Sequence, residues 1–499
     1  METILNAFEN AAARFPDNTA VAGEGGEYSY RDLSEEAKRI GNAICSRGYF
    51  RSAAAVFLPK SFACIASMLG VLYSGNYYTV LDTESPSSRI SSILEILDPA
   101  VIITSKQYLE ILPETTAEIL LTDTITKGTA DEALLASVRR SVTDADLMYA
   151  LFTSGSTGKP KGALLTHRAV YSYMNWVRET FSFHEETVFG SQTPLYFSMS
   201  VTDLFGALTA GGTYVILDKK AFSFPLMLLE QLNKFRVNTL YWVPSALGIL
   251  CGWDALSYAK PEYVTRIFFA GESMPVKYLN YWRKHLPDAE YYNLFGPTET
   301  TDICLWYKVD RDFAEEEAIP AGIPCKNCDS FVLTEDGRRA ETGERGELYV
   351  RGSFLASGYL KEPEKTAAAF VQNPLHQDYP ETVYRTGDLM QVGEDGNLHY
   401  LGRKDSQIKH MGYRIEPGEI ERAAMSLDGI NMCAVIYDNI RDTIILIYQG
   451  EAGEKEADTG IRALVPEYMV PGRYEKLPAL PLNANGKTDR KALKKMFVE

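Results

Sequence analysis

The sequence predicts an α/β fold: a large region of alternating strands and helices, then a turn-rich antiparallel region, then a small terminal block. Three observations carry this. Through residues 1–310, apolar runs of strand length alternate with segments whose apolar residues recur at helical spacing, the pattern of parallel sheets covered on both faces. From about residue 320 short alternating runs are separated by Glu335-Asp-Gly337, Glu341-Thr-Gly343 and Glu394-Asp-Gly396, turn signals of antiparallel strands. After Gly402-Arg-Lys-Asp405 about 95 residues remain, the size of a small independent domain.

Taken in order, Ile4, Leu5, Phe8, Ala11, Ala12 and Phe15 recur at helical spacing and stop at Pro16, which predicts an N-terminal helix. Tyr28-Ser-Tyr-Arg-Asp-Leu33 leads into a second helix with Leu33, Ala37, Ile40 and Ile44 on one face. Residues 56–58 and 77–81 read as strands, with Ile65, Met68, Leu69 and Leu72 marking a helix between them. The alternation continues through strands at 213–217, 239–243 and 266–270. No internal repeat or low-complexity tract interrupts it, which argues against a solenoid.

A chain of 499 residues exceeds one ordinary core and predicts about three domains, or one large and one small. Fifty basic against sixty-six acidic residues leave a formal charge of −16, which argues against nonspecific nucleic-acid binding. The N-terminus has no basic stretch followed by an apolar core and is not a secretory signal. The most apolar region, 53–81, is broken by Pro59-Lys60, Gly70 and Gly75, so it reads as buried strand and helix with no membrane insertion. Seven scattered cysteines, an odd number, fit reduced thiols and a cytoplasmic location. Cys325 and Cys328 form a C-x-x-C without a second ligand pair; a structural zinc needs four ligands, so they read as ordinary thiols.

The most informative stretch runs from Leu147 to His167. Residues 147–152 are an apolar run of a buried strand, and Thr153-Ser-Gly-Ser-Thr-Gly-Lys159 follows. A loop of hydroxyls and glycines after a strand can aim several N–H groups at one phosphate. It is not a Walker A loop, because only Ser156 and Thr157 separate Gly155 from Gly158, and Pro160 follows Lys159. Alone, the loop is equally consistent with a surface connection. Four more stretches have the character of polar sites. Phe269-Ala-Gly-Glu272 ends a strand where open α/β sheets place ligands. Asn293-Leu-Phe-Gly-Pro-Thr-Glu299 offers an amide for a base edge, a ring for stacking and a carboxylate for a hard cation. Tyr384-Arg-Thr-Gly-Asp388 sets a carboxylate after a tight turn, suited to a ribose diol, and Asn485-Gly486 presents Lys487 as a flexible point charge.

In this order and spacing the motifs resemble the adenylate-forming (ANL) superfamily, and within it the adenylation domains of non-ribosomal peptide synthesis. The matching pieces are 28–33, 72–82, 147–162, 293–299, 384–388, 402–421 and 480–490. The resemblance implies a large N-terminal domain over 1–404, built of stacked α/β subdomains and a small distorted β-barrel. A small mobile α+β domain over 405–499 would follow, hinged at Asp405. It implies activation of a carboxylate by ATP to an acyl-adenylate, with pyrophosphate released, and displacement of AMP by a thiol. Thr153, Ser154, Gly155, Ser156, Thr157, Gly158 and Lys159 should hold the β- and γ-phosphates, and Gly271, Glu272, Gly296 and Thr298 should border the nucleotide. Asn293 should meet the adenine edge, and Phe295, where the family usually has tyrosine, should stack on the ring. Asp388 should hold the ribose, with Tyr400 and Arg403 nearby. Glu299, with Thr157 close, should take Mg²⁺, and Lys487 should neutralise charge as carboxylate oxygen approaches the α-phosphorus.

The substrate motif departs from the pattern. Ser198 stands where amino-acid-activating members carry the aspartate that pairs with the α-ammonium, and a serine cannot neutralise a buried ammonium. Asp302 is the candidate replacement, in a lining formed with Met199, Thr202, Trp242, Phe268, Ala270, Leu294 and Ile303. The substrate is therefore expected to be an amino acid, including one whose amine is displaced from the usual position, or else an amine-free acid. No carrier domain follows Arg490 before Glu499, which reads as a free-standing enzyme similar in layout to D-alanine–carrier-protein ligases. The expected acceptor is the phosphopantetheine of a separate carrier protein, with coenzyme A as the alternative. Arg403, Lys404, Lys409, His410 and Arg414 are the expected docking cations. A non-catalytic binding module of the same fold is the third reading, disfavoured by the presence of Lys487, Glu299 and Asp388.

Overall fold

The computed structural model describes residues 3–154, 159–404, 407–481 and 488–498. Two large sheets dominate. The six-stranded sheet runs in the order Glu118–Leu121, Val101–Thr104, Ala53–Val56, Tyr77–Val80, Leu147–Thr153 and Lys161–Thr166, and all its pairs are parallel except the last. The nine-stranded sheet has six parallel strands at its centre: Glu290–Phe295, Arg266–Phe269, Thr239–Trp242, Val188–Ser191, Thr213–Ile216 and Thr19–Gly23. Antiparallel strands close both its edges. The α/β prediction holds, with strand boundaries shifted by one to three residues.

Local chemistry explains the helices that join the strands. Ser29 accepts from the Asp32 amide and Asp32 answers on the Ser29 amide, a reciprocal cap that starts helix Tyr30–Cys45. That helix buries Leu33, Ala37, Ile40 and Ile44 as its spacing predicts. It crosses helix Phe62–Tyr73 closely: a Cβ at Gly70 would lie 2.7 Å from the Cβ of Ile40. Gly70 therefore does not interrupt the helix but lets it pack. One continuous apolar core joins both sheets and their helices.

From Cys328 the chain forms an antiparallel sheet of Cys328–Leu333, Arg345–Gly352, Thr382–Val392, Phe370–Gln372 and Leu398–Arg403. Asp388 lies inside strand Thr382–Val392, where the sequence predicts a tight turn before it. The strand absorbs Gly387 at φ 77°, and a Cβ there would meet Arg403 Nη2 at 2.7 Å. The terminal region starts with hairpin Ile408–His410 and Tyr413–Ile415, then packs helices on a sheet of Ile430–Asp438, Thr443–Gly450 and Arg473–Lys476. It has its own apolar cores around Ile420, Leu446 and Ile461, and around Ile436 and Leu493. Among the described residues no helix is long and apolar enough to cross a membrane.

Candidate active site

Strand ends from both large sheets, the antiparallel sheet and the terminal hairpin converge on one cavity. Thr153 and Ser154 enter from the first sheet, Ala270 and Gly271 follow strand Arg266–Phe269, and Gly296, Pro297 and Thr298 follow strand Glu290–Phe295. Asp388 and Arg403 come from the antiparallel sheet, and Lys409, Gly412 and Arg414 from the hairpin. An adjoining recess is lined by Asn293, Leu294, Phe295, Glu272, Tyr400 and Lys409. Carboxyl ends of parallel strands are where open α/β sheets leave room for ligands.

On the polar side, buried Asp388 accepts from Arg403 Nη1 at 3.1 Å, and the same nitrogen reaches Thr386 O at 2.8 Å. The Phe295 and Tyr400 rings stand 5.5 Å apart, with Lys409 Nζ 4.3 Å from the centre of the first and 5.0 Å from the second. Burial lowers the Lys409 pKa, and Asp388 opposes this. Asn293 Nδ2 donates to Pro320 O at 2.7 Å. Thr153 Oγ1 is buried without a hydrogen-bond partner on the cavity wall, an orphan that suits an incoming oxyanion. Gly155, Ser156, Thr157, Gly158, Asp405 and Lys487 lie outside the described residues; Lys159 is exposed.

The hairpin occupies the site. Ser154 Oγ donates to Arg414 O at 2.5 Å and accepts from the Glu416 amide at 3.2 Å. Glu272 accepts from the Gly412 amide at 2.7 Å and the Ser245 amide at 2.9 Å, and its burial raises its pKa against those bonds. Arg414 binds both oxygens of Glu299, at 3.0 and 2.9 Å, while Lys161 and the Tyr359 hydroxyl donate to Oε1 at 3.3 and 2.6 Å. Burial works to raise the Glu299 pKa, but Arg414 and Lys161 overcome it and hold the carboxyl well below its ordinary value. Burial, with Arg414 beside it, lowers Lys161 to about 8. Glu299 thus has no room for Mg²⁺ in this arrangement, and the described residues contain no cluster of three or more His, Cys, Asp or Glu able to hold a metal.

Ser198, Met199, Ala270, Asp302 and Ile303 also reach the cavity wall. Asp302 is 1% exposed, and its Oδ2 accepts from Thr202 at 2.5 Å, Tyr241 at 3.0 Å and Tyr173 at 3.2 Å. Burial pushes its pKa up to about 6 despite those three hydroxyls. Thr202, expected on the lining, is buried with its hydroxyl on Asp302. Trp242 and Phe268, expected on the lining, lie in the core: Trp242 Nε1 donates to Gly190 O at 2.7 Å, and Phe268 stacks on Tyr292 with ring centres 5.0 Å apart. Leu294 faces the adjoining recess.

The expected docking cations need correction. Arg403 and Arg414 are 7% and 16% exposed and bound to Asp388 and Glu299, Lys409 sits over two rings inside the site, and His410 pairs with Asp442 at 3.1 Å. Lys404 alone of the five is mostly exposed, and it pairs with Glu347. Sequence reasoning missed Tyr173, Tyr241, Lys161 and Tyr359; only Lys161, two residues after Lys159, carried any signal.

The hairpin turns on Met411 and Gly412, at φ 51° and 78°. A Cβ at Gly412 would lie 2.3 Å from Val243 Cγ1. Gly412→Ala is therefore expected to unseat the hairpin, adding about 1 kcal/mol of backbone strain to the clash. Hydrogen exchange at residues 243–245 and 412–416 should rise; unchanged protection would contradict this packing.

Comparison with known proteins agrees with this geometry. The model of the family described as "AMP-binding enzyme" matches residues 8–360. The D-alanine–D-alanyl carrier protein ligase of Lacticaseibacillus casei is 30% identical, over 99% of this chain and 99% of that protein. The dimodular nonribosomal peptide synthase of Bacillus subtilis is 34% identical over 98% of this chain, which spans 21% of that relative's length. An artificially fused adenylation–PCP di-domain from Klebsiella oxytoca superposes with a TM-score of 0.84, covering 95% of this chain and 94% of that one at 19% identity. The fold is that of the ANL adenylation domains, and the chain belongs to the AMP-binding enzyme family.

Proposed function

We propose that the protein activates an amine-bearing carboxylic acid with ATP and passes the acyl group to the phosphopantetheine thiol of a carrier protein. Asp388 and Arg403 would hold the ribose, Phe295 and Tyr400 the adenine, and Thr153 with Ser154 through Lys159 the leaving pyrophosphate. Lys487 would carry the charge that develops between the acid's carboxylate and the α-phosphate. Residues 405–499 would form the moving domain, hinged at Asp405. Magnesium would enter with the phosphates, and Glu299 is available to it only after Arg414 withdraws.

The amine assignment rests on one observation: Asp302 is a buried wall carboxylate held by three neutral hydroxyls and by no cation among the described residues. An ammonium brought by the substrate supplies the missing charge. The same three hydroxyls support the second reading, an amine-free acid, because they already occupy Oδ2. ATP–pyrophosphate exchange with α-, β- and γ-amino acids and their des-amino analogues, with the adenylate identified by mass, separates the two. Exchange is expected with an amino acid and not with its des-amino counterpart. Strong exchange with the counterpart would overturn the role of Asp302, and no exchange with any acid would return the protein to a non-catalytic reading.

A further inference from the structure

The loop between strand Ala53–Val56 and helix Phe62–Tyr73 carries Lys60, whose ammonium reaches Ser191 at the end of a strand of the other large sheet and Thr193 just beyond it. Its ammonium donates to Ser191 O at 3.0 Å, Ser191 Oγ at 2.7 Å and Thr193 O at 2.9 Å, which uses all three of its protons. Ser191 Oγ donates in turn to Asp203 Oδ2 at 2.7 Å and lies 2.6 Å from the Tyr214 hydroxyl. Lys60 and Asp203 are thus joined through one buried hydroxyl.

What they bracket is the acid wall. Ser191 and Thr193 stand just before Ser198 and Met199, and Asp203 follows Thr202, the shortest contact to Asp302. In the intervening turn Gln192 Oε1 and Thr193 Oγ1 are buried without partners, and Ser200 Oγ holds the Phe197 carbonyl at 2.6 Å. The bonds from Lys60 to the carbonyls on one side, and through Ser191 to Asp203 on the other, fix both ends of the segment. Buried charges of opposite sign linked this way add little stability over an apolar replacement, so the clearest physical effect of the Lys60–Ser191–Asp203 link is to set geometry.

We propose that Lys60 is a positioning residue for the acid pocket, holding segment 191–203 so that Ser198, Met199 and the Thr202–Asp302 bond keep their places. The inference rests on the reading of this wall as the acid site.

The test uses Lys60→Met, Ser191→Ala, and the double variant Lys60→Met with Asp203→Asn, which removes both charges together. Exchange is measured with the acid the wild type activates best, giving separate KM values for acid and ATP, alongside thermal midpoints. The KM for the acid is expected to rise about tenfold in Lys60→Met and about threefold in Ser191→Ala, with the ATP value within about twofold of wild type. The double variant should recover thermal stability without recovering the acid KM. An acid KM near wild type in a stable double variant, or equal rises in both KM values, would show a merely structural strap and overturn the proposal. Should Lys60→Met fail to fold, Ser191→Ala and the double variant decide in the same way. Absence of exchange with every acid in the wild type would overturn the reading of the site itself, and this inference with it.

Discussion

Asp302→Asn is expected to lower kcat/KM for the activated amino acid at least about a hundredfold, because removing one partner of a buried charge pair typically costs about 3–5 kcal/mol. The same change should stabilise the free protein. Burial pushes Asp302 up to about 6 from the ordinary 3.8. Its folded pKa is raised, so the cost of holding it ionised is absent below pH 4 and grows as pH rises through 6. At pH 8 that cost amounts to about 3 kcal/mol at most. The asparagine variant should therefore melt higher than wild type at pH 8 and about equally at pH 4. In wild type, kcat/KM for the amino acid should fall as pH drops below about 6, and this limb should vanish in the variant. A purely structural aspartate would lose stability on substitution and leave the acid KM unchanged, and that result would falsify the assignment.

The aspartate was legible from its position in a motif, and its surroundings were not. Tyr173 lies on helix His167–Phe181, Thr202 on helix Met199–Ala210 and Tyr241 on strand Thr239–Trp242, up to 129 residues from Asp302 in sequence. Each tyrosine reads locally as an ordinary core aromatic, and only the crossing of a helix over the sheet brings them together. Trp242 and Phe268 differ for another reason: Phe268 shares the sheet face of Tyr241 but is covered by Phe181, whereas Trp242 points to the opposite face, against Phe222. The α/β alternation was readable because it is local, through caps such as Ser29 with Asp32 and faces such as Leu33, Ala37 and Ile40. The bulge at Gly387 was not readable as such, since a glycine before a carboxylate looks the same in a turn.

Lys487→Ala and Arg414→Ala are expected to split the two halves of the reaction in opposite directions. Lys487→Ala should reduce adenylate formation about 10²–10³-fold, the usual loss for one preorganised charge-stabilising donor, while transfer from supplied adenylate to a thiol changes little. In the proposed cycle Arg414 would work where Lys487 is not required: its guanidinium binds both Glu299 oxygens and its carbonyl accepts from Ser154. Without it, Glu299 keeps, among the described residues, Lys161 and Tyr359, a fully buried carboxylate with one cation, and the seated hairpin loses a bidentate contact to the core. Thiol transfer should fall about 10–100-fold, for a loss of about 1.5–3 kcal/mol in holding the hairpin. Adenylate formation should be retained or rise, since a free Glu299 no longer has to exchange Arg414 for the nucleotide's magnesium. Single-turnover measurements of each half-reaction decide it. Parallel losses in both halves for either variant would mean that the seated hairpin and the lysine act in one step, and that the arrangement seen here is not a separate station of the cycle.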